Sequence, residues 1–150
     1  MRRKDKEIGD PAEMEAILKE AQVCRLALAK GDEPYIVPMC FGYDGKHLYL
    51  HSAPEGKKIS MVLANPRCCF EVDQCDGIVH GDRPCSWGMH FKSVIGFGRA
   101  IILTDPEEKK HGLNCIMEHY NGGTHEFSEA DLHSVAVIRV VIESMTGKKK

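Results

Sequence analysis

The sequence predicts a mainly β protein, an antiparallel barrel accompanied by short peripheral helices. About six segments show period-two alternation or are rich in β-branched residues, and helical patterns lie at intervals between them. The dipeptide Asp44-Gly45 is a strong hairpin signal, and hairpins join antiparallel strands. A long glycine-containing strand at 87–103 suits the bends of a curved sheet. Together these features favour an antiparallel barrel over a parallel sheet.

The length and composition indicate one ordinary globular domain. At 150 residues the chain suits a single domain over 1–150, and its 43% hydrophobic and 28% charged residues argue against disorder. The net charge of −2 disfavours a general nucleic-acid binder. No apolar run reaches the roughly 18 residues of a membrane span, and the basic start leads into no apolar signal core. We therefore expect a cytoplasmic protein.

Helix-start signals open two of the three predicted helices. Residues 10–13 and 105–108 both place an aspartate at the cap, a proline in the first turn and a glutamate three positions after the aspartate. Apolar residues at helical spacing follow each start. A third, short helix is predicted at 55–66, where Asn65-Pro66 stops it.

Six strands are predicted around these helices. Pro38 implies that the second strand lies at a sheet edge or carries a bulge. A loop rich in glycine, aspartate, proline and cysteine is expected from 74 to about 86. The predicted strands are 23–29, 35–43, 46–52, 67–73, 87–103 and 134–145.

Basic residues occur at both ends of the chain, at 2–4 and at 148–150. We interpret both groups as solvated tails, in preference to segments that bind nucleic acid or a membrane, because short charged runs are usually solvated.

The cysteines and histidines invite a zinc hypothesis that their spacing does not support. Cys75, His80, Cys85 and His90 recur every five residues, whereas zinc-binding pairs are usually two to four residues apart. Residues five apart on a strand face opposite sides of the sheet. The adjacent pair at 68–69 lies in an apolar strand, where thiols commonly act as small buried hydrophobes. The seven cysteines, an odd number, suit a reducing compartment that keeps them as thiols.

The stretch from 51 to 59, HSAPEGKKI, has the features of a phosphate site. A predicted strand ends at His51-Ser52, and Gly56-Lys57-Lys58 then opens a helix. Backbone N–H groups, the positive end of a helix dipole, two ammonium groups and the Ser52 hydroxyl would surround one small volume. The alternative is that both lysines simply face solvent. From the spacing alone, the two interpretations are evenly balanced.

Two further residue types favour a flat ligand. Trp87, the only tryptophan, opens a strand beside a polar loop, so that it could cover an aromatic ring system or bury apolar area at a barrel end or subunit contact. His51 and His90 are expected near the same site, although single histidines more often serve structural roles.

Several segments, taken in order, resemble the pyridoxamine 5′-phosphate oxidase-like flavoproteins. The resemblance covers almost the whole chain and is closest to the branch related to 5-nitroimidazole antibiotic-resistance proteins. The segments are CRLALA, EPYIVPMCFGYDGKHLYLHSAPEGKKISMVLANPRCCFEVD, CSWGMHFKSVIGFGRA and IESMTGK.

The resemblance implies a six-stranded split β-barrel that forms a homodimer, with one FMN at each end of the subunit interface. It assigns the FMN phosphate to Gly56, Lys57 and Lys58, with help from Arg25. It places the isoalloxazine against the segment at 38–41, and the ribityl chain and ring near the segment at 51–53. It also brings a third segment, at 92–94, towards the cofactor and supplies the neighbourhood of Trp87 from the partner subunit. The individual residues of these segments are Pro38, Met39, Cys40 and Phe41, then His51, Ser52 and Ala53, and finally Lys92, Ser93 and Val94.

The C-terminus departs from the oxidase pattern. The oxidase proper ends in a segment with arginine and proline that helps hold pyridoxamine phosphate, whereas this chain ends SMTGKKK. An oxidase like pyridoxamine 5′-phosphate oxidase is therefore kept only as an alternative function, and the nitroimidazole-resistance branch is the better match.

Three hypotheses follow for the function. The first is an FMN-dependent reductase, in which NAD(P)H reduces the flavin and the flavin passes electrons to a nitroaromatic or quinone-like acceptor, with His51 donating protons or positioning that acceptor. The chain has no G-x-G-x-x-G, so the nicotinamide would visit the open flavin face. The second is a non-catalytic flavin- or haem-binding protein, with His51 as a haem ligand. The third is a zinc-dependent interaction module.

Overall fold

The structure, a computed structural model, describes residues 3–150, so Arg2 of the predicted basic tail lies outside the described residues. Four helices accompany eight strands in this part of the chain. The helices are α1 (Pro11–Glu20), α2 (Lys57–Ala64), α3 (Pro106–His119) and α4 (Glu129–Ser134). The strands are β1 (Glu7–Ile8), β2 (Cys24–Lys30), β3 (Glu33–Met39), β4 (Phe41–Tyr43), β5 (His47–Ser52), β6 (Arg67–Val79), β7 (Gly88–Ile102) and β8 (Ala136–Lys149).

The strands form one antiparallel sheet that curls into a half-barrel. Their order is β3-β2-β6-β7-β8-β5-β4, and β1 pairs with β8. The end strands β3 and β4 are consecutive in the chain and are separated only by Cys40. The two ends of the sheet must therefore approach each other, which is the geometry of a split barrel. The predicted mainly β, antiparallel class is confirmed.

The strand count differs from the six expected. The predicted strand at 35–43 is divided at Cys40 between the two ends of the sheet, and β1 adds two residues. The first part of the predicted loop at 74–86 is strand, because β6 continues to Val79 and pairs with β7 across a bulge between Cys75 and Ile78. The short helix α4 was not predicted, although Ser128 caps it through the Asp131 backbone N–H.

The C-terminal lysines are part of the sheet, so the prediction of a solvated tail is wrong there. Strand β8 runs to Lys149 between β7 and β1, and Lys150 exchanges two backbone hydrogen bonds with Phe91. The β-branched pattern predicted only the first part of this strand. Its polar end is held in the sheet by backbone pairing with β7 and β1.

Two apolar cores hold the sheet. Alternate residues of β2 point into the barrel, where α1 and α2 add buried side chains such as Leu18 and Met61. The second core lies on the outer face of β5 and β8, where Tyr49 and Val137 pack under α3. No helix among residues 3–150 is long and apolar enough to cross a bilayer.

Helix α3 also fixes the junction between β3 and β4. The Tyr120 hydroxyl, just beyond α3, accepts a hydrogen bond from the Phe41 N–H at 3.2 Å and donates one to the Gln22 carbonyl at 2.7 Å. Gly42 lets the α3 backbone approach β4 closely. A Cβ atom added there would lie 2.6 Å from the Ile116 nitrogen and closer still to the Cys115 carbonyl group.

This close approach gives a test of the packing. We expect Gly42→Ala to lower the free energy of unfolding by roughly 1–3 kcal/mol, because a methyl group there overpacks the α3 backbone. Urea denaturation followed by circular dichroism measures the change. Gly9→Ala is the matched control, since a Cβ atom at Gly9 meets nothing within 4 Å. Equal stability of the two variants would refute this account of α3 docking.

Candidate functional site

The start of α2 presents an open, positive helix end. Strand β5 ends at Ser52, and Gly56 precedes the helix with a φ of 118°, a backbone conformation that favours glycine. A Cβ atom at Gly56 would meet nothing within 4 Å, so the space beside it is open. Within the described chain, no side chain caps this helix and its first turn holds no acidic residue. Its first N–H groups and its dipole are therefore available to an anion.

Lys57 is already paired with a carboxylate. Its Nζ atom donates a hydrogen bond to Glu33 Oε1 at 2.6 Å and lies 5.2 Å from the centre of the Tyr35 ring. This hydrogen-bonded ion pair raises the pKa of Lys57 and lowers that of Glu33. Both side chains are about half exposed, and such surface pairs contribute little to stability. Lys57 can therefore exchange Glu33 for another anion at low cost.

Lys58 is a partly buried cation without an acidic partner. Its Nζ atom lies 3.5 Å from the Met39 sulfur, a weak acceptor, and no carboxylate among residues 3–150 forms an ion pair with it. Desolvation lowers the pKa of Lys58, since burial penalises the charged form. An anion bound here would compensate, through its charge and hydrogen bonds, for the water that the ammonium group has lost.

Arg25 lies on the outer face of β2 and is held by two carboxylates. Its Nη1 atom donates to Glu71 Oε2 at 2.9 Å and also contacts Asp73. Both hydrogen bonds raise the pKa of Arg25. Pro38 is its neighbour in register on β3. The predicted phosphate contact would require Arg25 to leave at least one of these carboxylates.

The predicted ring-binding segment alternates between the two faces of the sheet. Pro38 and Cys40 are exposed, whereas the side chains of Met39 and Phe41 are buried in the barrel core. Pro38 and Cys40 are thus the side chains of this segment that a ligand on the outside would meet.

The segment at the end of β5 divides in the same way. His51 is exposed and lies on the same face of β5 as Tyr49, the face that α3 covers further along the strand. Ser52 points to the opposite face, and its hydroxyl donates to the Ala53 carbonyl at 2.8 Å. Adjacent strand residues cannot direct both side chains at one small group, so at most one of His51 and Ser52 can face a given part of a ligand.

The predicted residues on the β6–β7 hairpin lie at different distances from the start of α2. Ser93 pairs with Asp73, which contacts Arg25, and Lys92 is next to it, but the Val94 side chain is buried in the core. Beyond Glu71, the register partner of Arg25, β6 continues for eight residues to Val79, roughly 25 Å of extended strand.

Trp87 stands at the far end of that hairpin. Its ring stacks on His80 at 4.4 Å between centroids, its Nε1 atom donates to the Gly81 carbonyl at 2.9 Å, and it is 53% exposed. One chain does not bring Trp87 together with Arg25, because the length of the hairpin separates them.

A second polar cluster lies outside the predicted site. Asp44 accepts hydrogen bonds from the Tyr49 hydroxyl at 3.0 Å and from the backbone N–H groups of Lys46 and His47. Burial opposes ionisation of Asp44, but these hydrogen bonds outweigh it and hold its pKa at about 2. The sequence marked Asp44 only as a turn residue.

Cys115 and His111 face this cluster from α3, one helical turn apart. The Cys115 sulfur lies 3.5 Å from His111 Nε2, yet burial raises the pKa of this thiol to about 11. The thiol is therefore protonated at neutral pH and is not an activated nucleophile. The cluster packs α3 against the sheet.

The structure also bears on the remaining cysteines and on the zinc hypothesis. All seven cysteines are free, and burial raises the pKa of Cys68 to about 12, as expected for a thiol that packs as a hydrophobe. Within residues 3–150, no group of three or more histidine, cysteine, aspartate and glutamate side chains is arranged to hold a metal ion.

Comparison with known families and structures covers nearly the whole chain. The sequence profile described as pyridoxamine 5′-phosphate oxidase matches residues 10–149. A candidate 5-nitroimidazole antibiotic resistance protein from Bacteroides thetaiotaomicron is 36% identical, with a TM-score of 0.84 over 95% of this chain and 85% of the other. An FAD-binding protein from Mesorhizobium loti is 31% identical, with a TM-score of 0.69 over 94% and 95% of the two chains.

More distant comparisons add the fold alone or a short match. An FAD- and haem-binding protein from Mycobacterium smegmatis has a TM-score of 0.88 over 97% of this chain and 73% of its own, at 16% identity. An uncharacterized protein of Rhizobium meliloti (strain 1021) is 33% identical over 60 residues, so this chain covers 39% of that curated relative.

Proposed function

The chain belongs to the pyridoxamine 5′-phosphate oxidase family, and from this premise we propose that it is an FMN-dependent reductase. In this proposal electrons pass from NAD(P)H through FMN to a nitroaromatic or similar small acceptor. The family and the FAD-binding relative support a flavin-binding protein. The 36% identical candidate nitroimidazole-resistance protein supports the class of acceptor.

The observation that carries this proposal is the Lys58 ammonium group. It is partly buried, it forms no ion pair within residues 3–150, and it stands at an open helix N-terminus without an acidic residue. A phosphate monoester supplies the missing negative charge and accepts charge-assisted hydrogen bonds from Lys58 and from the first N–H groups of α2. The terminal phosphate of FMN is such a group, whereas the two phosphates of FAD are joined in an internal diphosphate that is esterified at both ends.

The remaining residues would bind and orient the cofactor. Lys57 would exchange Glu33 for the phosphate, and Gly56 would leave room for the phosphate beside the chain. The exposed side chains at the β3–β4 junction, Pro38 and Cys40, would border the ring. When bound, FMN supplies the electron-transfer chemistry, and the protein supplies its binding, orientation and exclusion of water.

The test of this function is an absorption spectrum of the purified protein under anaerobic conditions. We expect a flavin double band that NADH or NADPH bleaches and that a nitroimidazole then restores, since electrons must enter and leave through the cofactor. A flavin that neither donor bleaches would favour a non-catalytic binder. A haem Soret band in place of the flavin bands would contradict the cofactor assignment.

His51 has a proposed role separate from cofactor binding. It is exposed at the end of β5, six residues before Lys57, where it could give a proton to the reduced acceptor or position it. We expect His51→Gln to lower the turnover of the acceptor by roughly 10²-fold or more, the usual scale of general acid catalysis, with flavin content unchanged. His47→Gln, on the same strand face, is the control, and equal turnover in all three proteins would remove His51 from the mechanism.

We also propose a homodimer with the flavin at the subunit interface. The outer sheet face carries an apolar row across four strands, in which Ile36, Ala27, Cys69 and Phe97 are neighbours in register. Ile36 is 62% and Phe97 54% exposed, and a groove of about 360 Å³ lies along the row. Exposed apolar patches of this kind mark association sites. In this dimer, as the family resemblance implies, the partner subunit would supply the neighbourhood of Trp87.

The apolar row predicts the effect of a charge at its centre. Phe97→Arg should convert the dimer to a monomer, because association would bury an unpaired guanidinium group. Size-exclusion chromatography with light scattering measures the mass of the particle. Leu63→Arg, at an exposed apolar residue on α2, is the matched control and should remain dimeric. Wild-type protein that runs as a monomer would rule out the proposed interface.

A further inference from the structure

The two ends of the described part of the chain, residues 3–150, meet at one edge of the sheet. Strand β1 pairs Glu7 with Lys148, and Lys150 pairs with Phe91 beyond the end of β8. Lys6 directly precedes β1. We call the group of Lys6, Lys148 and Lys150 the basic edge.

The charges of the basic edge are not neutralised within the described chain. Nearby acids are used elsewhere, since Asp5 pairs with Arg3 at 2.7 Å and Glu13 pairs with Lys149 at 2.8 Å. Glu7 lies opposite Lys148, but none of the three lysines forms an ion pair within residues 3–150. Partial desolvation, followed by repulsion from Arg3, Lys150 and Lys148, lowers the pKa of Lys6. A chain of net charge −2 therefore concentrates positive charge here.

The basic edge shares the outer sheet face with Arg25, one of the residues predicted to contact the FMN phosphate. Lys148 pairs with Ser93, and Ser93 pairs with Asp73, whose carboxylate contacts Arg25. Lys148 is thus two strands from Asp73, a distance of about 10 Å. Its Nζ atom also lies 5.6 Å from the centre of the Phe91 ring, so an aromatic surface adjoins the charge. A ligand that contacts the flavin at one end could therefore place a phosphate group at its other end on the basic edge.

We propose that the basic edge binds the phosphate groups of the nicotinamide donor and selects NADPH, which carries a 2′-phosphate, over NADH. This inference rests on the proposed reductase function for its donor. A 2′-phosphate brings up to two further negative charges, which three unpaired ammonium groups can contact, whereas the 2′-hydroxyl of NADH brings none. Binding through charged groups at the protein surface also weakens as salt is added.

The test is isothermal titration calorimetry of the flavin-loaded full chain with 2′,5′-ADP and with 5′-AMP, which differ only in the 2′-phosphate. We expect 2′,5′-ADP to bind at least about tenfold more tightly to the wild type, a difference of about 1.4 kcal/mol. Lys6→Gln combined with Lys148→Gln should abolish this preference and leave flavin content and melting temperature unchanged. Lys30→Gln combined with Lys46→Gln removes two exposed lysines elsewhere and should retain it.

The outcomes separate the inference from the function on which it rests. Equal affinity of the wild type for the two nucleotides, or a preference that survives in the Lys6 and Lys148 variant, overturns the basic edge as a phosphate site. This holds even if both donors bleach the flavin. If neither donor bleaches the flavin while the 2′,5′-ADP preference depends on Lys6 and Lys148, the reductase proposal fails and the phosphate site stands.

Discussion

The seam between β3 and β4 is the constraint on which the rest of the structure depends. One residue, Cys40, connects the first and last strands of the sheet order, so the sheet has to curl until its two ends meet. The Tyr120 hydroxyl fixes this seam by bonding to Phe41 and Gln22, and Gly42 lets α3 press against it. At the start of α2, the Lys57 side chain reaches Glu33 and the Lys58 side chain reaches Met39, both on β3.

The three basic residues of the proposed phosphate site differ in how firmly other groups of the protein hold them, and this difference explains how one anion could be selected. Arg25 is held by two carboxylates and Lys57 by one, whereas Lys58 has a thioether as its neighbour. A cation that is desolvated without compensation favours an incoming anion most, since its solvation is not yet replaced. Lys58 would therefore act as the anchor, Lys57 as an exchangeable second contact, and Arg25 as a contact that competes with Glu71 and Asp73.

The sequence correctly predicted the features that depend on interactions between neighbouring residues. The helix starts at 10–13 and 105–108 are confirmed, as are the hairpin at Asp44-Gly45 and the glycine before α2, because caps and turns depend on neighbouring residues. The ordered segments also identified the family, which the match over residues 10–149 confirms. The assignment of individual site residues to the cofactor stays a prediction.

The features that the sequence did not predict depend on pairing between residues that are far apart in the chain. The division of the strand at Cys40 depends on which strands lie on either side, and the ordering of Lys148 to Lys150 depends on β7 and β1. The carboxylates around Arg25 come from β6, 46 and 48 residues away. Alternation along a strand was available as a signal, and it separates the exposed Pro38 and Cys40 from the buried Met39 and Phe41.

The flavin content of the Lys57→Ala, Lys58→Ala double variant tests the central claim most directly. The ratio of flavin to protein absorbance after purification and dialysis is compared with that of the wild type and of a Lys30→Ala, Lys46→Ala variant. The phosphate site at the start of α2 predicts that the first variant loses most of its FMN, while the second retains a wild-type ratio and both remain folded. A stoichiometric flavin in the Lys57 and Lys58 variant would contradict the account.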